Sequence, residues 1–422
     1  MALMIGMNSG SSFDGIDAVL FEIELGPDGQ PVRPRFIDGL AYDWPKEVED
    51  LILPAFENTT TIFELTRINY IAGAVYAKAC LALLERTGVD PATILAIGVD
   101  GQTIYQEPPD RPRILSMDIP NTDLVDLWLD GPYACGTFIG ESGVIAAHTG
   151  IPTITHFRPA DHAIGGTGAP MMQYLDWVSF REIGPILTLN IGGIANCHLA
   201  NKDRADMRAF DTGPGNVMID HSMRRLYSRG YDKDGEVAAS GQIHQEMIDW
   251  LWDHPFYARK PPRSAWRLDF GSAWADNMLE TWKHLPSEDI IATLTRFTPL
   301  SITKAVTELI GDISGVDTLI SSGGGARNPV LMGHLRGDLA AHGIRLTTSD
   351  EFGIPPQFKE AIKFGTLAFA NMNLLANNIP ACSGATGFTI MGKVQWPPSM
   401  VRAFPTPGEK VTVPADVRPT AG

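Results

Sequence analysis

Residues 6–17 read GMNSGSSFDGID, a glycine- and hydroxyl-rich turn directly behind the apolar start Met1–Met7. The start predicts a short buried strand, and the residues after it suit a backbone that wraps around phosphate. Gly10 and Gly15 permit a tight turn, while Gly10, Ser11 and Ser12 can aim N–H and O–H donors at anionic oxygens. Many strands end in Gly/Ser turns with no such purpose. The segment therefore decides the fold only together with the other strand ends.

Those ends repeat its pattern. Residues 16–25 (IDAVLFEIEL) are apolar and β-branched and read as a second strand, and Arg35–Leu40 pairs back after the turn Gly26-Pro-Asp-Gly29. Leu65, Ile68, Ala72, Val75, Ala79 and Leu83 recur at spacings of three and four, which predicts an amphipathic helix over 64–87 stopped at Gly88. Ile94–Val99 is a buried strand ending in Asp100-Gly-Gln-Thr103. Leu187–Ile191 is another, ending in Gly192-Gly193. Leu199–Phe210 fits its hairpin partner and ends in Asp211-Thr-Gly-Pro-Gly-Asn216. A second long helix is expected over Asp289–Leu309. Thr318–Ser322 is a strand ending in Gly323-Gly-Gly-Ala-Arg-Asn-Pro329, where Asn328 caps the next helix and Pro329 opens it. Residues 104–135, rich in Pro, Asp and Trp, read as irregular, a lid or a specificity loop.

Every polar glycine turn thus falls at the C-terminal end of a strand, where open α/β sheets bind ligands. The repeat predicts an α/β fold of two lobes facing each other across a cleft. The N-terminal lobe spans 1–184, the C-terminal lobe 185–396, and 397–422 form a Pro-rich tail. Composition agrees: 422 residues, 44% hydrophobic and 19% charged, are enough for two or three cores. The net charge of −16 disfavours nucleic acid and anionic lipid as main partners. Cys80, Cys135, Cys197 and Cys382 are far apart with no CxxC pair, so no zinc site or disulfide framework is indicated, and reduced cytoplasmic thiols are the simplest reading. There is no signal-peptide pattern and no run of about 18 apolar residues, so no membrane span is expected.

Four glycine turns so placed have the logic of a nucleotide clasped between two lobes. The first turn, through Gly10, Ser11, Ser12, Phe13, Asp14, Gly15, Ile16 and Asp17, is expected to hold β- and γ-phosphates. Gly192 and Gly193 hold phosphate from the opposite lobe, and Gly323, Gly324 and Gly325 let a flat base approach the backbone. Asp211 either reaches a magnesium–phosphate complex or stabilises its own turn. The chain has no GxxxxGK[ST] loop, no protein-kinase motif set and no GxGxxG after its first strand. A catalytic base is sought in His156-Phe-Arg-Pro-Ala-Asp161-His-Ala-Ile-Gly-Gly-Thr-Gly-Ala-Pro170. Asp161 can take a proton from water or a hydroxyl, and Arg158 can bind substrate or transferred phosphate. The competing reading makes Asp161 a helix cap paired with Arg158. His148, His156 and His162 lack metal-site spacing, and no metal-ligating residue is assigned.

These motifs, in order from residue 5 to about 396, resemble the anhydro-N-acetylmuramic acid kinases and the related levoglucosan kinases of the sugar kinase/Hsp70/actin superfamily, whose fold is ribonuclease H-like. GMNSGSSFDGID is similar to the family's first phosphate loop and GQT at 101–103 to its sugar-side turn, which implies substrate contacts for Gln102 and Thr103. FRPADHAIGGTGAP at 157–170 is similar to its catalytic segment; LNIGGIAN, FDTGPGN, GGGARNP and IPPQFKEAIKFGTLA match further patterns. The resemblance implies that Asp161 activates a water that opens a 1,6-anhydro bridge, after which O6 takes the γ-phosphate of ATP, with Mg²⁺ neutralising the phosphates. It also implies a homodimer.

The departures lie on the sugar side. Asp100 stands where the bacterial kinases usually have His, Thr167 where they have Gln, and Arg263-Ser-Ala-Trp-Arg-Leu268 replaces Lys-Ser-Thr-Gly-Arg-Glu; Asn8-Ser-Gly is closer to the levoglucosan kinases. If Asp100 faces sugar, it repels a lactyl carboxylate but not levoglucosan. Three activities follow for comparison: an anhydro-sugar kinase, a sugar-sensing degenerate kinase that binds ATP, and a phosphate-releasing hydrolase of the same superfamily.

Overall fold

The computed structural model describes residues 1–10, 13, 15–107, 128–129, 134–261, 263–265 and 269–400. Ser11, Ser12, Asp14, most of 104–135, Trp266–Leu268 and the tail from 401 lie outside them, as do the expectations placed on those residues.

Thirteen strands are described. The first sheet joins β1 (Ala2–Asn8), β2 (Ile16–Ile23), β3 (Arg35–Tyr42), β4 (Ile94–Val99), β7 (Thr153–Thr155) and β13 (Lys393–Gln395) in the order β13-β7-β4-β1-β2-β3. β5 (Gln102–Glu107) and β6 (Cys135–Ile139) form a separate antiparallel pair. The second sheet joins β8 (Ile186–Ile191), β9 (Ile194–Ala200), β10 (Arg208–Pro214), β11 (Thr318–Ser322) and β12 (Arg345–Thr348) in the order β10-β9-β8-β11-β12. Both sheets start with an antiparallel meander and continue in parallel: β1 pairs antiparallel with β2 and parallel with β4, and β8 pairs antiparallel with β9 and parallel with β11. The internal repeat read from the glycine turns is therefore a repeat of topology.

Alternation along the strands builds a core on each face of the first sheet. Ile5, Met7, Ile16, Ala18 and Leu20 pack with Val75, Tyr76 and Leu83 of helix Ile62–Thr87. Met4, Val19 and Phe21 point the other way, onto Phe364 and Leu367 of helix Lys359–Met372. Period-two burial on both faces marks an interior strand. Helix Ile62–Thr87 ends where expected: Thr61 and Glu64 form a capping box, and Gly88 closes it at φ 67°. That helix is also long and apolar enough to span a bilayer, contrary to the expectation that no segment is, but 56% of its apolar window is buried against the sheet.

The second sheet packs Leu187, Leu189 and Ile191 against helices Ser287–Lys304 and Pro329–Ala340. Asn328 caps the latter, accepting from Val330 N and Leu331 N at 3.0 and 3.1 Å, and Pro329 opens it. The stretch expected as one partner strand over 199–210 is instead two, β9 and β10, parted by a 3₁₀ turn at Arg204–Asp206, which Asp203 caps.

Between the sheets lies helix Met172–Phe180, all nine residues of which are buried. A helix enclosed on every side belongs to an interior, and here that interior is shared by the lobes. The expected boundary after residue 184 falls just past it. Helix Lys359–Met372 and β13, expected with the second lobe, lie on the first sheet. The helix can settle there because Gly6 and Gly98 have no Cβ; one built on either would collide with the carbonyl of Ala361 or Phe364.

Candidate active site at the junction of the lobes

The parallel strands deliver their carboxyl ends, Asn8 on β1 and Asn190 on β8, to the same carboxylate. Glu360, at the start of helix Lys359–Met372, accepts from Asn8 Nδ2 at 2.8 Å and from Asn190 Nδ2 at 3.2 Å. Nearby, Gln357 Nε2 donates to Asp17 Oδ1 at 3.2 Å, and Arg327 donates to Gln357 Oε1 at 3.0 Å. The first-lobe turn and the turn after β11 are thus tied through one short segment.

Three glycine turns of the second lobe converge. Asn216 N donates to Gly192 O, and Gly215 N to Gly193 O, both at 2.8 Å. Gly323, at φ 86°, fits against Asn190 and Ile191, and Gly325 against Ile191; a side chain at either would collide with them. In the first turn Gly10 has φ 46° and Phe13, a non-glycine, has φ 56°. The Phe13 ring packs on Trp44 and Phe56, with centroids 5.3 and 5.5 Å away, so it anchors the turn. Ile16 lies wholly in the core, leaving its backbone alone to meet a ligand.

Gln102 is fully buried and braces the first turn: its Oε1 accepts from Ser9 Oγ at 2.8 Å, and its Nε2 donates to Gly10 O and Thr103 O at 3.3 Å. Thr103, in β5, supplies that carbonyl. Arg158 does not pair with Asp161. It meets Asp100 Oδ2 at 2.7 Å, donates to Gly168 O at 2.7 Å and lies over the Phe138 ring. The carboxylate at the position where the resembling kinases usually have His is therefore neutralised by an arginine rather than bare.

Asp161, in the short helix Arg158–His162, is 1% exposed. Its Oδ2 accepts from Gly168 N at 2.9 Å; its Oδ1 accepts from Ser383 Oγ at 2.9 Å and Asn378 Nδ2 at 3.1 Å. Beside it lies a cavity of about 10 Å³, shared with Gln173, Tyr174 and Asn377, scarcely room for one water.

Asp211 lies in β10, and its Oδ2 accepts from Ala265 N at 2.7 Å. Arg263, from the segment that departs from the kinases, is buried and donates to the carbonyls of Asp211, Thr212 and Arg259 while stacking on Phe256. Burial pushes the Asp211 carboxyl up to about 7, against the lowering pull of Ala265 N–H and Arg263. A carboxyl raised on folding contributes stability that is present below about pH 4 and lost as pH rises to about 7. Asp211→Asn, melted from pH 4 to 8 without nucleotide or magnesium, is expected to flatten that fall in Tm. An unchanged slope would place its origin elsewhere.

Sequence reading missed Gln357 and Glu360, although IPPQFKEAIKFGTLA carried the signal: charged residues inside a run otherwise apolar enough to be buried. It also missed a buried cluster between the lobes. Asp176 Oδ2 accepts from Thr188 Oγ1 at 2.6 Å and shares a 2.5 Å hydrogen bond with His198 Nδ1. Lys359 Nζ stands 2.7 Å from Asp176 Oδ1, an ion contact angled outside hydrogen-bond geometry.

Two sheets of matching strand order, with glycine turns meeting at their carboxyl ends, define a two-lobe α/β fold. The profile of the family described as anhydro-N-acetylmuramic acid kinase matches residues 2–128 and 127–397. Anhydro-N-acetylmuramic acid kinase of Caldanaerobacter subterraneus subsp. tengcongensis is 33% identical over 401 residues, covering 93% of this chain and 96% of the relative. That of Clostridioides difficile is 33% identical, covering 92% and 97%, and that of Francisella tularensis subsp. novicida 32%, covering 93% and 98%. The chain belongs to the anhydro-N-acetylmuramic acid kinase family of sugar kinases.

Proposed function

We propose that this protein is an ATP-dependent kinase that opens the 1,6-anhydro bridge of an anhydro sugar with water and phosphorylates O6, with 1,6-anhydro-N-acetylmuramic acid as substrate in cell-wall sugar recycling in the cytoplasm. The observation that carries the reading is the meeting of family motifs from both lobes at Glu360, through Asn8 and Asn190. In this reading ATP lies between the first turn and the turns at Gly192–Gly193 and Gly323–Gly325. Asp161 takes a proton from the water that attacks the anomeric carbon. The C1–O6 bond breaks, and O6 attacks the γ-phosphorus, releasing ADP and a sugar 6-phosphate.

Asp211 suits a cation, because burial has left its carboxyl short of positive charge. Magnesium is held by one or two carboxylates together with substrate phosphates, and Asp211 would be the carboxylate that holds it here. Bound there, Mg²⁺ supplies charge neutralisation for the phosphates. A homodimer remains part of the proposal by resemblance to the family.

The burial of Asp161 favours a second reading, a sugar-sensing protein that binds ATP without transfer. ADP production decides between them, measured with 1,6-anhydro-N-acetylmuramic acid, levoglucosan and ordinary hexoses. A kinase releases ADP quickly only with an anhydro sugar. Release independent of sugar indicates a hydrolase, and no release with any sugar indicates the sensor.

A further inference from the structure

Helix Lys359–Met372 carries a second cation to the junction. Lys363 lies three residues past Glu360 and is 7% exposed. Among the described residues its ammonium has neither a hydrogen-bond acceptor nor a carboxylate within ion-pair distance; its recorded contact is the neighbouring Phe364 ring, 4.2 Å to the centroid. Its helix packs on β4, which Asp100 follows; burial draws its pKa down, Glu360 and Asp100 draw it up, and Arg158 and Lys359 draw it down further.

The charges around Lys363 are already engaged. Arg158 is taken by Asp100, and the Glu360 oxygens by the amides of Asn8 and Asn190. Two further polar atoms beside them are buried without partners, Asp100 Oδ1 and Arg158 Nε. Native interiors leave few such atoms unmatched, and an ammonium on a largely buried side chain is costly to hold without a counter-ion. An acceptor and two donors left open in one place call for a ligand with a hydroxyl to give and an anionic oxygen to receive. The glycine turns expected to hold phosphate follow β1, β8 and β11, whereas Asp100 follows β4 and Arg158 follows β7.

We propose that Lys363 positions the substrate by binding a sugar carboxylate, with Asp100 Oδ1 accepting from a sugar hydroxyl. The inference rests on the kinase reading and names the substrate class of that site. It reverses the expectation that Asp100 repels an acidic sugar: Arg158 cancels Asp100, and Lys363 supplies the attraction.

The test is Lys363→Met in the full chain, with Lys363→Gln as a second variant should the first fail to fold. Each is compared with the parent on 1,6-anhydro-N-acetylmuramic acid and on levoglucosan, which has no carboxylate, as substrate or competitive inhibitor. Loss of one partner of a buried charge pair predicts that KM for the acidic sugar rises about 30-fold or more, with kcat changed far less. The preference for the acidic sugar over levoglucosan falls by about tenfold or more. An equal loss on both sugars would assign Lys363 to the transferred phosphate and overturn the proposal, as would no loss on either. Calorimetric titration with each sugar reads the same preference without turnover. If the parent binds the acidic sugar but transfers no phosphate, the kinase reading fails while the role of Lys363 stands or falls separately.

Discussion

Asp161→Asn is expected to lower turnover on an anhydro sugar by about 10²–10⁴-fold, the range for loss of a general base, while nucleotide affinity changes little. The structure makes this substitution more than a change of charge. All three donors that reach the carboxylate, Gly168 N–H, Ser383 O–H and Asn378 Nδ2–H, require an acceptor. An asparagine amide presents two of its own hydrogens to one side of that ring, so a hydrogen bond to a charged group worth about 1.5–3 kcal/mol is lost as well. Turnover and melting temperature must therefore be measured together. A stable variant with turnover within tenfold of the parent removes Asp161 from the chemistry. A variant with a lower Tm, intact nucleotide binding and turnover reduced by orders of magnitude supports it.

Lys359→Met is expected to cost about 3–5 kcal/mol of stability, read by chemical denaturation, because it leaves the buried carboxylate of Asp176 without its cation. Asp176, Lys359 and His198 are all essentially inaccessible. Burial pushes the Asp176 carboxyl up, but Lys359 and His198 outweigh it and hold the group well below the usual carboxylate range. A carboxyl depressed on folding contributes stability that is present above its unfolded pKa, near 4, and lost as pH falls below that. The parent should thus lose stability below about pH 4 more steeply than the variant. Removing the acid as well, in Asp176→Asn/Lys359→Met, should recover part of the loss, since no stranded charge remains. A single variant within 1 kcal/mol of the parent would show that the cluster does not hold the lobes.

The strand ends were legible because glycine turns and alternating apolar residues are local signals. Ile94–Val99 and Thr318–Ser322 fall at their expected bounds, as do the cap at Asn328 and the stop at Gly88. The return of the chain to its first sheet was not legible. Nothing within helix Lys359–Met372 says which sheet it joins, because its seat is set by the missing side chains of Gly6 and Gly98, more than 260 residues earlier. The partner of Arg158 was not legible either: Asp161 is three residues away and Asp100 is 58, but strands β4 and β7 lie side by side.

Sequence alone determined the family, the α/β class, the strand–turn rhythm and the buried strand that opens GMNSGSSFDGID, since each depends on signals carried by short stretches of chain. Tertiary structure decided which charges meet: Glu360 with Asn8 and Asn190, Asp100 with Arg158, Asp176 with Lys359, and Lys363 with none among the described residues. Pairing of that kind depends on burial and on the neighbours that folding brings within a few ångströms, and both are properties of the packed lobes rather than of any segment.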